Sequence, residues 1–179
     1  RQVLSAMKAP RFTLLDTIDH WIDSSRDELV AAMAEVDAVV LNDDEARRLA
    51  GDTNLVRAAR VVRDLGPRTV VVKKGEHGLV MLRSSDADTE GTTSALPAYP
   101  VANVVDPTGA GDTFAGGMLG SLAESCGTDR SPEAEDLLRA VAYGTVLASF
   151  SVESFGTDRV AQLTREEVAR YSRHLIIPD

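Results

Sequence analysis

The chain has 179 residues, a net charge of −9 and 44% hydrophobic residues, which suits one globular domain or part of a larger one. Its acidic balance argues against nucleic acid or an anionic membrane as the main partner, though not against a nucleotide held at one local anion site. A single cysteine, Cys126, excludes an internal disulfide framework and a cysteine zinc cluster, and makes a reducing, cytoplasmic setting the default.

No apolar run approaches ~18 residues, the length a spanning helix needs, and no signal-peptide pattern opens the chain. Arg1-Gln2-Val3-Leu4 reads as the middle of a helix, an opening expected of a piece of a longer chain. Phe12 to Asp16 predicts a short buried strand. Ser24 and Ser25, followed by Asp27, Glu28, Leu29, Val30, Met33 and Val36, predict a capped amphipathic helix. Ala38 to Leu41 predicts a second strand, Asp43 to Ala50 a helix closed by Gly51, and Leu55 to Leu65 another helix. Thr69 to Lys73 contains three successive valines, as in a strand covered on both faces.

Gly75 to Gly78 predicts a turn, Leu79 to Leu82 a fourth strand, and the polar stretch Ser84 to Ser94 a loop. Leu96 to Val105 reads as extended and broken by Pro97 and Pro100. Helices are expected over Ala110 to Ala123, over Glu133 to Val152 as one or two pieces, and over Thr164 to His174. The last begins with a capping box of Thr164 and Glu167. Strands alternating with helices predict an α/β fold with a mostly parallel sheet flanked by helices. No internal repeat or low-complexity segment is visible.

The richest motif is Asp106-Pro107-Thr108-Gly109-Ala110-Gly111-Asp112-Thr113-Phe114-Ala115-Gly116-Gly117. The first N–H groups of a helix lack internal acceptors and carry the positive end of its dipole. Small residues at Gly109, Ala110 and Gly111 let an anion approach the backbone, as a transferring phosphoryl group requires. Asp112 can take the proton of an attacking hydroxyl. Gly109 to Asp112 taken alone fit a tight turn with a capping aspartate equally well. That reading leaves Asp106, Thr108, Gly116 and Gly117 without a reason.

This run resembles the second signature of the ribokinase-like (PfkB) family of carbohydrate kinases. The resemblance covers most of the chain and corresponds to the C-terminal half of a family member, from the strand ending at Asp16 onward. It implies that residues 1–179 form the nucleotide-binding and catalytic part of a single ribokinase-like domain, whose lid and N-terminal strands lie elsewhere. The implied activity is ATP-dependent phosphorylation of a sugar hydroxyl, with Asp112 as general base and the backbone of Gly109, Ala110, Gly111 and Asp112 as anion hole. Two alternatives stay open: a nucleotide-binding module without efficient catalysis alone, and a kinase of a nucleoside or a hydroxymethylpyrimidine.

Asn42-Asp43-Asp44-Glu45 follows the second strand. Asn42 as N-cap and Glu45 completing a capping box explain it locally. The resemblance adds an Asn-x-x-Glu element that organises magnesium and phosphate, with Glu45 reaching Mg2+ through water. Both readings can hold together. The turn Lys73-Lys74-Gly75-Glu76-His77-Gly78 is explained by its glycines alone, and the lysines by a solvated strand end. By resemblance it is nucleotide-contacting, through Lys74, Gly75 and Gly78. Further nucleotide positions implied are Thr108, Tyr143 and Thr145. A monovalent-cation site, K+ by analogy, is implied at Asp106, Thr108, Ser151 and Gly156, against the plain reading of a helix stopped at Gly156. Asp16-Thr17-Ile18 departs from the family's Asp-x-Asn or Asp-x-Arg element, and Trp21 is expected to pack against a neighbouring helix. The full-length protein is expected to work on ATP and a sugar, with homodimers possible through the lid. No Gly-x4-Gly-Lys-[Ser/Thr], no Gly-x-Gly-x-x-Gly after the first strand and no serine elbow occurs.

Overall fold

A computed structural model describes residues 2–85 and 88–176. Two compact units make it up: Arg1–Gly75 with Leu79–Ala95, and Glu76–Gly78 with Leu96–Asp179.

The first unit is built on a five-stranded sheet in the order β1-β2-β3-β4-β5. Strands β1 (Leu14–Asp16), β2 (Ala38–Asn42) and β3 (Thr69–Lys73) run parallel, while β4 (Leu79–Ser85) runs antiparallel to β3. The expected α/β fold is therefore observed. Helices α2 (Asp19–Ser24) and α3 (Arg26–Met33) join β1 to β2; α4 (Asp43–Ala50) and α5 (Leu55–Asp64) join β2 to β3. A short α1 (Gln2–Ala6) precedes them. Alternate strand residues Val39, Leu41, Val70, Val72 and Leu82 form one core with Leu29, Met33, Ala46, Leu49 and Val62 of the helices. Val70, Val71 and Val72 are all 0% exposed, so β3 is buried on both faces, as its unbroken apolar run predicts.

Three local expectations change. Ser25 precedes α3 but makes no side-chain cap hydrogen bond; its backbone (φ −147°, ψ 43°) turns directly out of α2. Trp21, expected to be packed against a neighbouring helix, is 48% exposed and meets the His20 ring edge-on, at 5.1 Å between ring centres. The polar stretch expected as a loop is mostly strand: β4 runs to Ser85 and β5 spans Asp88–Leu96, while Asp86 and Ala87 lie outside the described residues. A strand at the sheet edge is held by backbone pairing and needs no apolar alternation. The Arg63 guanidinium of α5 ties β5 down by donating to the Glu90 carbonyl at 2.7 Å. Beyond Leu96 the chain follows no regular element until α6.

The second unit is helical. α6 (Ala110–Cys126) and α7 (Ala134–Ser151) are its long members, and α8 (Asp158–Ala161) and α9 (Arg165–Ile176) follow. Residues 134–151 form one helix, not two, and it ends at Ser151 with Val152 as C-cap rather than at Gly156. Gly117 and Gly144 let α6 and α7 touch backbone to backbone: a Cβ on Gly144 would lie 2.6 Å from the Phe114 carbonyl oxygen. The predicted capping box of α9 is present, with the Thr164 N–H donating to Glu167 at 2.9 Å and the Glu167 N–H to the Thr164 hydroxyl at 3.2 Å. Tyr99, Phe150 and Tyr171 pack with ring centres 5.0–5.5 Å apart, fixing α9 and the segment after Leu96 to α7.

In the first turn of α7, the Asp136 carboxylate accepts hydrogen bonds from both terminal nitrogens of Arg130 and, at 2.9 Å, from the Glu133 N–H. The guanidinium first, then the N–H, hold this carboxyl well below the usual range. Stability drawn from such a group is full above its unfolded pKa and is lost as pH falls toward the lower folded one. Asp136→Asn is expected to cost roughly 1 kcal/mol at neutral pH, a modest figure because Arg130 stays solvated. The deficit should shrink below about pH 4, where the unfolded wild-type carboxyl takes up its proton. Urea melts of both proteins at pH 7 and pH 3 check this; an equal deficit at both would refute it.

Candidate active site

The run Asp106 to Asp112 is shaped by three backbone decisions. The Val152 carbonyl, at the C-cap of α7, accepts the N–H groups of both Val105 (2.7 Å) and Asp106 (3.2 Å). The Asp106 carboxylate then accepts the Thr108 N–H at 2.9 Å, closing a local turn and holding its own pKa below the usual range. Gly109 takes a left-handed conformation (φ 78°), which starts α6 without a side-chain cap.

Consequently the N–H groups of Gly109, Gly111 and Asp112 have no acceptor among the described residues, while Thr113 N–H makes the first helical bond, to Gly109, at 2.8 Å. Ala110 is different. Its N–H donates to the Pro107 carbonyl at 3.2 Å, so this member of the expected anion hole is already engaged. Asp112 is exposed on the first turn and has no hydrogen-bond or ion-pair partner among the described residues. A free carboxylate beside free helix N-terminal N–H groups can take a proton next to a bound anion.

In the sheet unit, Asn42 and Glu45 form the predicted capping box: Glu45 N–H donates to Asn42 Oδ1, and Asn42 N–H to Glu45 Oε2, each at 2.8 Å. Glu45 is 4% exposed, and burial pushes its carboxyl above the usual range. Opposing that are the Asn42 N–H, the Thr17 hydroxyl, which donates to Oε2 at 3.0 Å, and the charge of Lys73. Lys73 pairs with Asp16 at 3.2 Å across the carboxyl ends of β1 and β3, so it is not a free solvated strand end. Lys74 is half-buried and has no partner among the described residues.

Gly75 (φ 55°) opens a single 3-10 turn through His77, which is a surface residue beside Glu76. Gly78 (φ 81°) passes so close to the end of β5 that a Cβ would lie 2.0 Å from the Leu96 carbonyl oxygen.

The remaining expected positions lie on α7 and after it. Thr145 is buried, its hydroxyl donating to the Val141 carbonyl at 2.7 Å, and the Ser151 hydroxyl donates to Ala148 at 2.8 Å. Gly156 (φ 62°) bends the loop after α7. Tyr143 lines a groove of about 300 Å3 with Thr113, Gly116, Gly120, Glu124 and Arg165. Among the described residues no three His, Cys, Asp or Glu side chains cluster as a metal site, and no helix is long and apolar enough to cross a membrane. A hard cation carried by phosphates needs only one or two protein carboxylates. Glu45 Oε1 accepts no hydrogen bond from any described residue, so this carboxylate could take such a place. The position that sequence reasoning missed is Thr17, whose link to Glu45 spans 28 residues.

Residues 3–163 match the model of the pfkB family carbohydrate kinases. The cytidine kinase of Thermococcus kodakarensis is 35% identical over 96 residues, covering 52% of this chain and 32% of that protein. The fructokinase of Klebsiella pneumoniae is 36% identical over 108 residues, covering 59% of this chain and 33% of that protein. In fold, the aminoimidazole riboside kinase of Salmonella enterica, solved with aminoimidazole riboside and an ATP analog, superposes with a TM-score of 0.73 at 23% identity. That match covers 90% of this chain and 52% of the other. The matched stretch therefore spans between about a third and about half of these relatives' lengths.

Proposed function

The chain belongs to the pfkB family of carbohydrate kinases, and from that membership we propose that its protein moves the γ-phosphoryl group of ATP onto a sugar hydroxyl, free or carried by a nucleoside. The start of α6 carries this reading: a left-handed Gly109 and, among the described residues, no acceptor for the Gly111 and Asp112 N–H groups and no partner for the Asp112 carboxylate. In the transfer a bond forms between the acceptor oxygen and phosphorus, the bond to ADP breaks, and Asp112 receives the hydroxyl proton. The Gly111 and Asp112 N–H groups stabilise the negative charge on the transferring group, where fixed donors act most strongly.

Mg2+, when bound with the nucleotide, supplies charge neutralisation, and Glu45 is the residue that would orient its water shell. The buried capping box and the Thr17 hydroxyl hold that carboxylate in one orientation. The relatives differ in acceptor, and cytidine, fructose and aminoimidazole riboside have only a sugar moiety in common. We read the acceptor class as that moiety.

The test is an ADP-release assay of the complete protein with ATP, Mg2+ and a panel of ribose, fructose, cytidine and aminoimidazole riboside. Acceptor-dependent ADP with at least one of them is expected. ADP release that no acceptor raises would overturn the reading.

A further inference from the structure

Building on the role proposed for Glu45, we infer that Thr17 is a positioning residue for the metal–nucleotide site, acting through the Glu45 carboxylate. Thr17 stands one residue beyond β1. Its N–H donates to the Val40 carbonyl at 3.1 Å, which carries the parallel β1–β2 pairing one step past the strand. That pairing fixes its backbone, and at 3% exposure its side chain has little freedom. The hydroxyl donates to Glu45 Oε2 at 3.0 Å. The Asn42 N–H donates to the same oxygen at 2.8 Å.

Two donors therefore converge on one carboxylate oxygen, and they come from different places. Asn42 belongs to the capping box, so its bond is local to the start of α4. Thr17 comes from just past the end of β1, 28 residues earlier. A single bond to Oε2 would leave the carboxylate plane able to swing about it. The second bond stops that swing and leaves Oε1, which no described residue engages, aimed in one direction. Hydrogen bonds behind a metal ligand set its orientation in this manner. The Thr17 hydroxyl could instead serve only to satisfy a buried carboxylate. The two roles separate experimentally, because a purely structural bond changes stability but not ion affinity.

In the complete protein, Mn2+ is the probe ion and a non-hydrolysable ATP analogue the nucleotide, with free Mn2+ read by electron paramagnetic resonance. Thr17→Val is expected to weaken Mn2+ binding to the protein–analogue complex by roughly 10-fold, the low end for residues behind metal ligands. Analogue binding without metal should be unchanged, and Thr17→Ser, which keeps the hydroxyl, should restore the affinity. In a Glu45→Gln background, Thr17→Val should cause no further loss. Wild-type Mn2+ affinity in Thr17→Val, a Thr17→Ser variant as weak as Thr17→Val, or full additivity with Glu45→Gln would each overturn the inference. If Thr17→Val does not fold, Thr17→Ala replaces it under the same criteria. The assay also separates this inference from the proposed reaction. Affinity that responds to Thr17 in a protein that phosphorylates nothing would sink the reaction and keep Thr17. Phosphorylation with an affinity indifferent to Thr17 would do the reverse.

Discussion

Asp112→Asn is expected to lower kcat of the complete protein by roughly 10²- to 10⁴-fold, the usual contribution of a positioned general base. That range corresponds to about 2.7–5.5 kcal/mol of transition-state stabilisation. The substitution keeps the shape of the side chain and its hydrogen-bonding oxygen but removes the ability to hold a proton. Because the Asp112 side chain makes no hydrogen bond or ion pair with a described residue, its replacement breaks no such bond. It forgoes only the favourable placement of an anion in the first turn of α6, about 0.3–1 kcal/mol of stability. The KM for ATP should change little, since the Gly111 and Asp112 N–H groups remain. Steady-state kinetics with the acceptor found in the panel decide the matter. Turnover within a few-fold of wild type would remove Asp112 from the role of base and return it to that of a helix-terminal anion.

Gly78→Ala is the second large effect, on folding rather than chemistry. At φ 81° an alanine pays about 1–2 kcal/mol for the left-handed backbone alone. Its Cβ would also stand 2.0 Å from the Leu96 carbonyl oxygen and 2.7 Å from the Pro97 carbonyl carbon. Both are backbone atoms, and neither can rotate away as a side chain would. Forced overlap of this kind adds typically 1–3 kcal/mol. The variant is therefore expected to lose roughly 2–5 kcal/mol in total, read as a shift in the urea midpoint against wild type. Gly75→Ala is the control. It shares a positive φ (55°), but its Cβ would meet nothing within 4 Å, so only the backbone cost applies. Equal losses in the two variants would show that the close approach to Leu96 and Pro97 does not matter.

Much of the fold could be read from local pattern. The valine run of β3 identifies a doubly covered strand because both its faces are buried, so no polar residue interrupts it. Asn42 and Glu45 announce a helix start because their reciprocal bonds span only three residues. β5 was hidden for the converse reason. Its Thr, Ser, Glu and Gly residues show no apolar alternation, since it is held through its backbone and Arg63 rather than by a buried face. Trp21 misled because large apolar residues are usually buried, while some always remain on the surface.

The candidate site divides in the same way. Asp112 and the glycines before it are contiguous, so their chemistry is legible in one line of sequence. Which N–H groups remain free is not legible, because it depends on the Pro107 carbonyl having claimed Ala110. The Thr17–Glu45 bond and the paired bonds to Val152 join residues far apart in the chain, and no periodicity or spacing encodes them.

The double acceptance at the Val152 carbonyl makes α7 a ruler. One residue inserted within Ala134–Ser151 would rotate the far end of that helix by about 100° and advance it about 1.5 Å. The carbonyl would then face away from Val105 and Asp106, and the turn leading to Gly109 would lose its anchor. One residue inserted at exposed Thr128 or Asp129, ahead of the helix, changes neither angle nor advance at Val152. Length variation in this chain should therefore be tolerated before α7 and not within it.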